Sequence, residues 1–204
     1  MSFNIEELII TVPIILFSIT IHEYSHGKAA LSLGDPTAKN AGRLTLNPIS
    51  HIDPIGALCL LLFHFGWAKP VPVDTRYFQN PRKDIVLMAL SGPVANFGAA
   101  FIAGLFFRYF SLDYIIYQKI LIYIVIFNVA LGLFNLLPIP PLDGSHVLEN
   151  LLPPGASEKY RQIQRYAPYI LIGVLLTDRF FQTGILGKLL ETPIRFITTL
   201  LIGT

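Results

Sequence analysis

Residues 120–144 read ILIYIVIFNVALGLFNLLPIPPLDG. From Ile120 to Leu142 the chain carries no charged side chain over 23 residues, where about 20 are enough for an α-helix to cross the hydrocarbon core of a bilayer. Pro138, Pro140 and Pro141 then break that helix just ahead of Asp143 and Gly144. Proline removes a backbone donor and frees a carbonyl, and hydrocarbon satisfies neither, so such backbone must line a cavity or pack against protein. The stretch therefore predicts a membrane span that hands an acidic residue to an interior site.

Working outward, Ile85–Phe107 is a second uncharged run of 23 residues. A first segment runs from Leu8 to about Leu31; it is uncharged as far as Ile21 and then continues through His22, Glu23 and His26. Composition agrees with three spans: 53% of residues are hydrophobic and only 14% charged, against about 25% charged in an ordinary soluble chain. Asp53–Gly66 holds about a dozen apolar residues, short for a span and suited to a re-entrant or interfacial piece. Gly66-Trp67-Ala68-Lys69-Pro70-Val71-Pro72-Val73 has prolines that exclude helix and valines that favour extended backbone, and Thr37–Asp53 alternates enough for a small β element. Beyond Asp143 the chain is amphipathic and Pro-rich, with shorter apolar segments at Tyr166–Thr177 and Phe180–Gly203. The expected fold is an all-α polytopic membrane protein: a core of three transmembrane helices, a short re-entrant or β element, and additional C-terminal helices. Residues 1–204 are read as one integral-membrane domain, with the three spans within about 8–150 and C-terminal helices over about 151–204.

The composition also excludes several functions. A net charge of +2, from 15 basic and 13 acidic residues with no basic tract, is too balanced for a nucleic-acid binder that must neutralise several phosphates. One cysteine, Cys59, supports neither a disulfide framework nor a thiolate metal site. Glu6 and Glu7 stand where a secretory signal carries Lys or Arg, so the first apolar segment is expected to remain in the mature protein.

Lys and Arg accumulate in short cytoplasmic loops. Seven lie between the first helix and Ile85 (Lys28, Lys39, Arg43, Lys69, Arg76, Arg82, Lys83), two between Phe107 and Ile120, and three between Asp143 and Tyr166. An out, in, out, in path fits if Asp53–Trp67 dips and returns. His22 then lies about 21 Å below Leu8, in the cytoplasmic half, and Asp143 arrives at the same side.

His22-Glu23-Tyr24-Ser25-His26 is H-E-x-x-H on a helix, which sets two imidazoles one turn apart on one face with the glutamate beside them. Ionisable groups inside an apolar helix are costly and point to function. Two imidazoles suit zinc, which needs a third protein ligand and an open position if it is catalytic. Asp143 completes that set on the matching membrane face; His51, Asp53, His64 and His146 are weaker candidates whose simpler reading is interfacial. Glu23 is placed to take a proton from the attacking water and pass it to the leaving amine. The amides of Asn135 and Asn96 can serve a developing oxyanion or, equally, interhelical packing; Asn128 reads as packing. Gly92, Pro93 and Gly98 suit close helix approach.

Three motifs, His22-Glu23-Tyr24-Ser25-His26, Ser91-Gly92-Pro93-Val94-Ala95-Asn96 and Asn135 through Asp143-Gly144, resemble those of the site-2 proteases, intramembrane zinc metalloproteases. Together with Gly66–Val73 they resemble a compact subgroup without an inserted PDZ or CBS domain. The resemblance implies one Zn2+ held by His22, His26 and Asp143, Glu23 as catalytic carboxylate, membrane-protein substrates with a transmembrane helix, and a prokaryotic plasma membrane. A different class, a transporter with an ion path through the same polar cluster, is also compatible with polar residues at midplane and a broken helix. For a protease, the substrate helix must unwind, and Thr37–Val73, through Leu44, Leu46 and Val71, is expected to offer it a strand edge.

Overall fold

A computed structural model of the chain describes residues 5–63, 66–110, 113–164, 166, 169, 173 and 184–203. His64 and most of the expected segment Tyr166–Thr177 lie outside them. Three helices are long and apolar enough to cross a membrane: α1 (Ile5–Ser32), α4 (Pro81–Tyr109) and α5 (Ile115–Asn135). Only 22–28% of the most apolar window of each is buried within the chain. The remainder, including Ile9, Phe17, Val94 and Phe101, faces outward, which lipid accepts and water would not. An all-α polytopic membrane protein with a three-helix core is therefore the fold observed.

The three spans pack pairwise, and small residues let their backbones approach. Ala100 and Ala103 of α4 meet Leu121, Val125 and Val129 of α5 in the buried core. Gly132 sits under the Phe97 ring, where a Cβ would lie 3.0 Å from it. The last helix, α8 (Ile185–Ile202), covers this core with Ile194, Ile197, Leu201 and Ile202, and its Leu201 lies on Gly104. It falls within the expected C-terminal segment Phe180–Gly203.

Between α1 and α4 the structure departs from the expected β element. Thr37–Asn40 forms a short helix, α2, and Pro48–His51 a 3₁₀ turn opened by Asn47, whose side chain accepts from Ile49 N–H. Asn47 and Pro48 favour that local turn over a strand ladder. The one β contact among the described residues is the Ile52–Ala68 bridge, flanked by Lys69 N–H donating to His51 O at 2.9 Å. It brackets α3 (Pro54–Phe63), a ten-residue helix. A helix of ten residues reaches only about 15 Å, too short to cross the hydrocarbon core, and Ile52 before it is paired with Ala68 beyond it.

α5 stops at Asn135, seven residues before the uncharged run ends. Leu136–Leu142 turns through local bonds, Leu137 N–H to Phe134 O and Leu142 N–H to Ile139 O among them. α6 (Asp143–Leu151) then begins at the acid itself and packs on α4. α7 (Pro154–Gln164) packs on α6, where Arg161 and Gln164 both reach Glu149 at 3.0 Å.

Candidate active site

α1 carries His22 and His26 on one face, and the start of α6 brings Asp143 to them. His22 Nε2 lies 3.1 Å from Asp143 Oδ2, His26 Nε2 lies 3.3 Å from Asp143 Oδ1, and the two Nε2 atoms are 3.0 Å apart. Both histidines are buried. Among the described residues these three form the one His/Cys/Asp/Glu group close enough to share an ion.

Hydrogen bonding fixes the tautomers. His26 Nδ1 faces Met88 O at 2.9 Å; a carbonyl only accepts, so Nδ1 carries the proton and a neutral ring bears its lone pair on Nε2. The amide of Asn96 is oriented by Nδ2 donating to Ser18 O at 3.0 Å and to Asn128 Oδ1 at 2.8 Å. Asn128 is oriented in turn by Ile124 O. Asn96 Oδ1 therefore faces His22 Nδ1, at 2.6 Å, and Nε2 of His22 is also left unprotonated. Two lone pairs 3.0 Å apart repel unless a cation lies between them. Asp143 Oδ2 is buried and accepts no hydrogen bond despite its proximity to His22. Two imidazole nitrogens and a carboxylate oxygen, with the far nitrogen of each ring held by another group, are a donor set that fits zinc.

Gly92 and Gly144 are required by this packing. A Cβ at Gly92 would lie 2.7 Å from Cε1 of both His22 and His26, and one at Gly144 would lie 2.6 Å from Leu137 O. The close approach expected at Gly92 thus brings α4 against the imidazoles themselves, whereas Gly98 has no neighbour within 4 Å and serves no such approach.

The other sequence candidates fall differently. Glu23 stands beside His22, half-buried, with Oε2 accepting Val71 N–H at 3.0 Å. Asn135 donates one N–H to Leu131 O at 3.0 Å. Asn96, expected as an oxyanion donor or packing group, has both amide hydrogens engaged elsewhere. Asn128 packs as expected. Asp53 caps α3 through Gly56 N–H at 2.8 Å, His51 is buried and bonded to Thr45 O, and His146 is exposed; none joins the cluster. Val71 N–H, bonded to Glu23, is not a free strand-edge donor.

The description "Peptidase family M50" matches residues 111–177, the part of the chain that includes Asn135, the prolines and Asp143-Gly144. The chain is 41% identical over 173 residues to "Putative zinc metalloprotease YwhC" of Bacillus subtilis, covering 80% of this chain and 78% of that one. It is 29% identical over 169 residues to "Putative zinc metalloprotease Rip2" of Mycolicibacterium smegmatis, covering 79% of this chain and 64% of that one. No solved structure matches it significantly. The chain belongs to peptidase family M50, the site-2 protease family. It is an intramembrane zinc metalloprotease acting on membrane-protein substrates, and nothing favours a transporter.

Proposed function

We propose that His22, His26 and Asp143 hold the zinc, that Glu23 is the general base, and that the enzyme cuts a peptide bond near the cytoplasmic end of a substrate's span. The observation that carries this reading is the convergence of two imidazole Nε2 atoms, 3.0 Å apart, on the two oxygens of Asp143 at 3.1 and 3.3 Å. When bound, zinc supplies Lewis acidity, activating water and polarising the scissile carbonyl. Glu23 receives the water's proton on the oxygen not bonded to Val71 and returns it to the leaving amine, so the peptide bond is exchanged for a carboxyl and an amine. Asn135 has a second amide hydrogen to offer the carbonyl oxygen as charge develops on it. Asn96 acts instead as the group that orients His22. Because α1 stays helical through the motif, the substrate must bring an unwound, extended segment to the site; Gly, Pro or Asn near the end of its span lowers the cost of unwinding. The cytoplasmic placement is supported by the excess of Lys and Arg in the loops flanking the site. A single domain, with a core over about 8–150, is supported by α8 packing over the helices of that core; the plasma membrane follows from the likeness to the compact subgroup.

The test compares membrane-protein fragments in cells that contain the wild-type protein or Glu23→Gln. Fragments cut within or beside a span that disappear with Glu23→Gln support the reading and name the substrates. An unchanged fragment set would overturn it.

A further inference from the structure

Ala68–Asp74 runs extended beside α1, and each part of it is tied to a residue outside the catalytic motifs. Its start is bridged to Ile52. Arg43 Nη2 donates to Lys69 O at 2.7 Å and Arg43 Nη1 to Pro70 O at 3.2 Å. At the far end Asp74 N–H donates to Asp35 Oδ2 at 2.8 Å. Asp35 is fully buried just beyond α1, and its other oxygen accepts from Thr37 N–H and Thr37 Oγ1. Between these anchors the Val71 side chain is buried over Gly27, where a Cβ would lie 3.1 Å from Val71 Cγ1 and 3.3 Å from Leu44 Cδ1. Pro70 and Pro72 flank Val71, so its N–H is the one backbone donor between Lys69 and Val73. That donor goes to Glu23 Oε2 at 3.0 Å.

We infer that Arg43 and Asp35 are positioning residues for the catalytic step: they hold this arm so that Val71 N–H fixes one oxygen of Glu23 and leaves the other for the water's proton. The inference rests on the reading of Glu23 as the base. A glutamate has three rotatable side-chain bonds, and freezing such a side chain costs conformational entropy. A donor on a prepaid scaffold removes that cost from the reaction, and a base misplaced by 1 Å can lose about 100-fold in rate. Two prolines stiffen the arm, and a bidentate guanidinium on adjacent carbonyls sets its depth. The trans Pro70–Val71 peptide thereby presents its carbonyl to Arg43 and its amide to Glu23.

The experiment uses the full-length, zinc-loaded protein and a single-span reporter with Gly and Pro near the cytoplasmic end of its span. Arg43→Ala should lower kcat by about 10–100-fold, the range for loss of a supporting contact, with KM within about two-fold. Arg43→Lys should recover part of the loss, because an ammonium can reach one of the two carbonyls. Hydrogen exchange over residues 70–72 reports the Val71 amide alone. That exchange should accelerate at least about ten-fold in Arg43→Ala and in Asp35→Asn, and far less in Arg43→Lys. In a Glu23→Gln background Arg43→Ala should cost no further activity. Unchanged kcat together with unchanged Val71 exchange in Arg43→Lys and Arg43→Ala would overturn the inference, as would a loss confined to KM. A fully active Glu23→Gln would instead overturn the assignment of the base, whatever the Arg43 variants do.

Discussion

The two halves of the metal cluster are built in opposite ways. α1 keeps its hydrogen-bond ladder through His22, Glu23 and His26, so the spacing of two imidazoles is set by helix geometry and costs no backbone group its partner. The Asp143 half is made by ending a helix: α5 stops at Asn135, and a turn of seven residues delivers the carboxylate at the first position of α6. Backbone freed at membrane depth must be satisfied by protein, and here it is. Leu136 N–H bonds to Gly132 O, Ser145 N–H and Oγ both bond to Leu142 O, and Tyr160 Oη–H donates to Pro138 O. An intact helix supplies two rigid ligands; a third from another direction needs irregular backbone, and that backbone needs α6 and α7 around it.

The difference can be probed from both sides. On the intact-helix side, Gly92→Ala drives a methyl into the His22 and His26 rings. Reporter cleavage should fall by about 100-fold, the cost of a displacement near 1 Å at a reacting centre; a wild-type rate would mean that the rings are not held against α4. On the broken-helix side, Gly144→Ala places a methyl against Leu136 and Leu137 carbonyls. A loss of about 1–3 kcal/mol, typical of forced overpacking, should appear as a lower Tm, with reduced zinc content because Asp143 is displaced. Asn96→Ala removes the acceptor of His22 Nδ1–H, and metal affinity should drop by about 10–100-fold. Gly98→Ala, with no neighbour to meet, should leave both stability and cleavage within about 0.5 kcal/mol of wild type. It is the control that separates a glycine needed for contact from one that is not.

These contrasts also explain what could be read from the sequence. Spans are legible because an uncharged run of more than 20 residues has few other uses, and His22, Glu23 and His26 because helix periodicity turns spacing into proximity. Asp143 was legible through the prolines before it, although the end of α5 was not: apolar residues continue past Asn135, and hydropathy cannot distinguish a helix from an apolar turn packed on protein. The same limit hid the role of Asn96. Polar groups were visible on both flanking spans, but which one meets His22 depends on how α1 and α4 face each other. Arg43 and Asp35 were missed because their partners lie 26 to 39 residues away on a segment without regular structure. The alternation Pro70-Val71-Pro72 was the available signal, since it isolates one backbone donor. In sequence it suggests a strand edge for substrate, whereas in the structure that donor serves Glu23.

The central claim is that two helix-borne imidazoles and a carboxylate from a broken helix together hold one zinc while Glu23 holds none of it. Zinc content of the purified protein tests this most directly. About one zinc per chain is expected in wild type and in Glu23→Gln, and loss of most of it in His22→Ala, His26→Ala and Asp143→Ala, because a three-ligand site rarely keeps its ion after losing one ligand. Full occupancy in Asp143→Ala, or loss of zinc in Glu23→Gln with the fold intact, would contradict it.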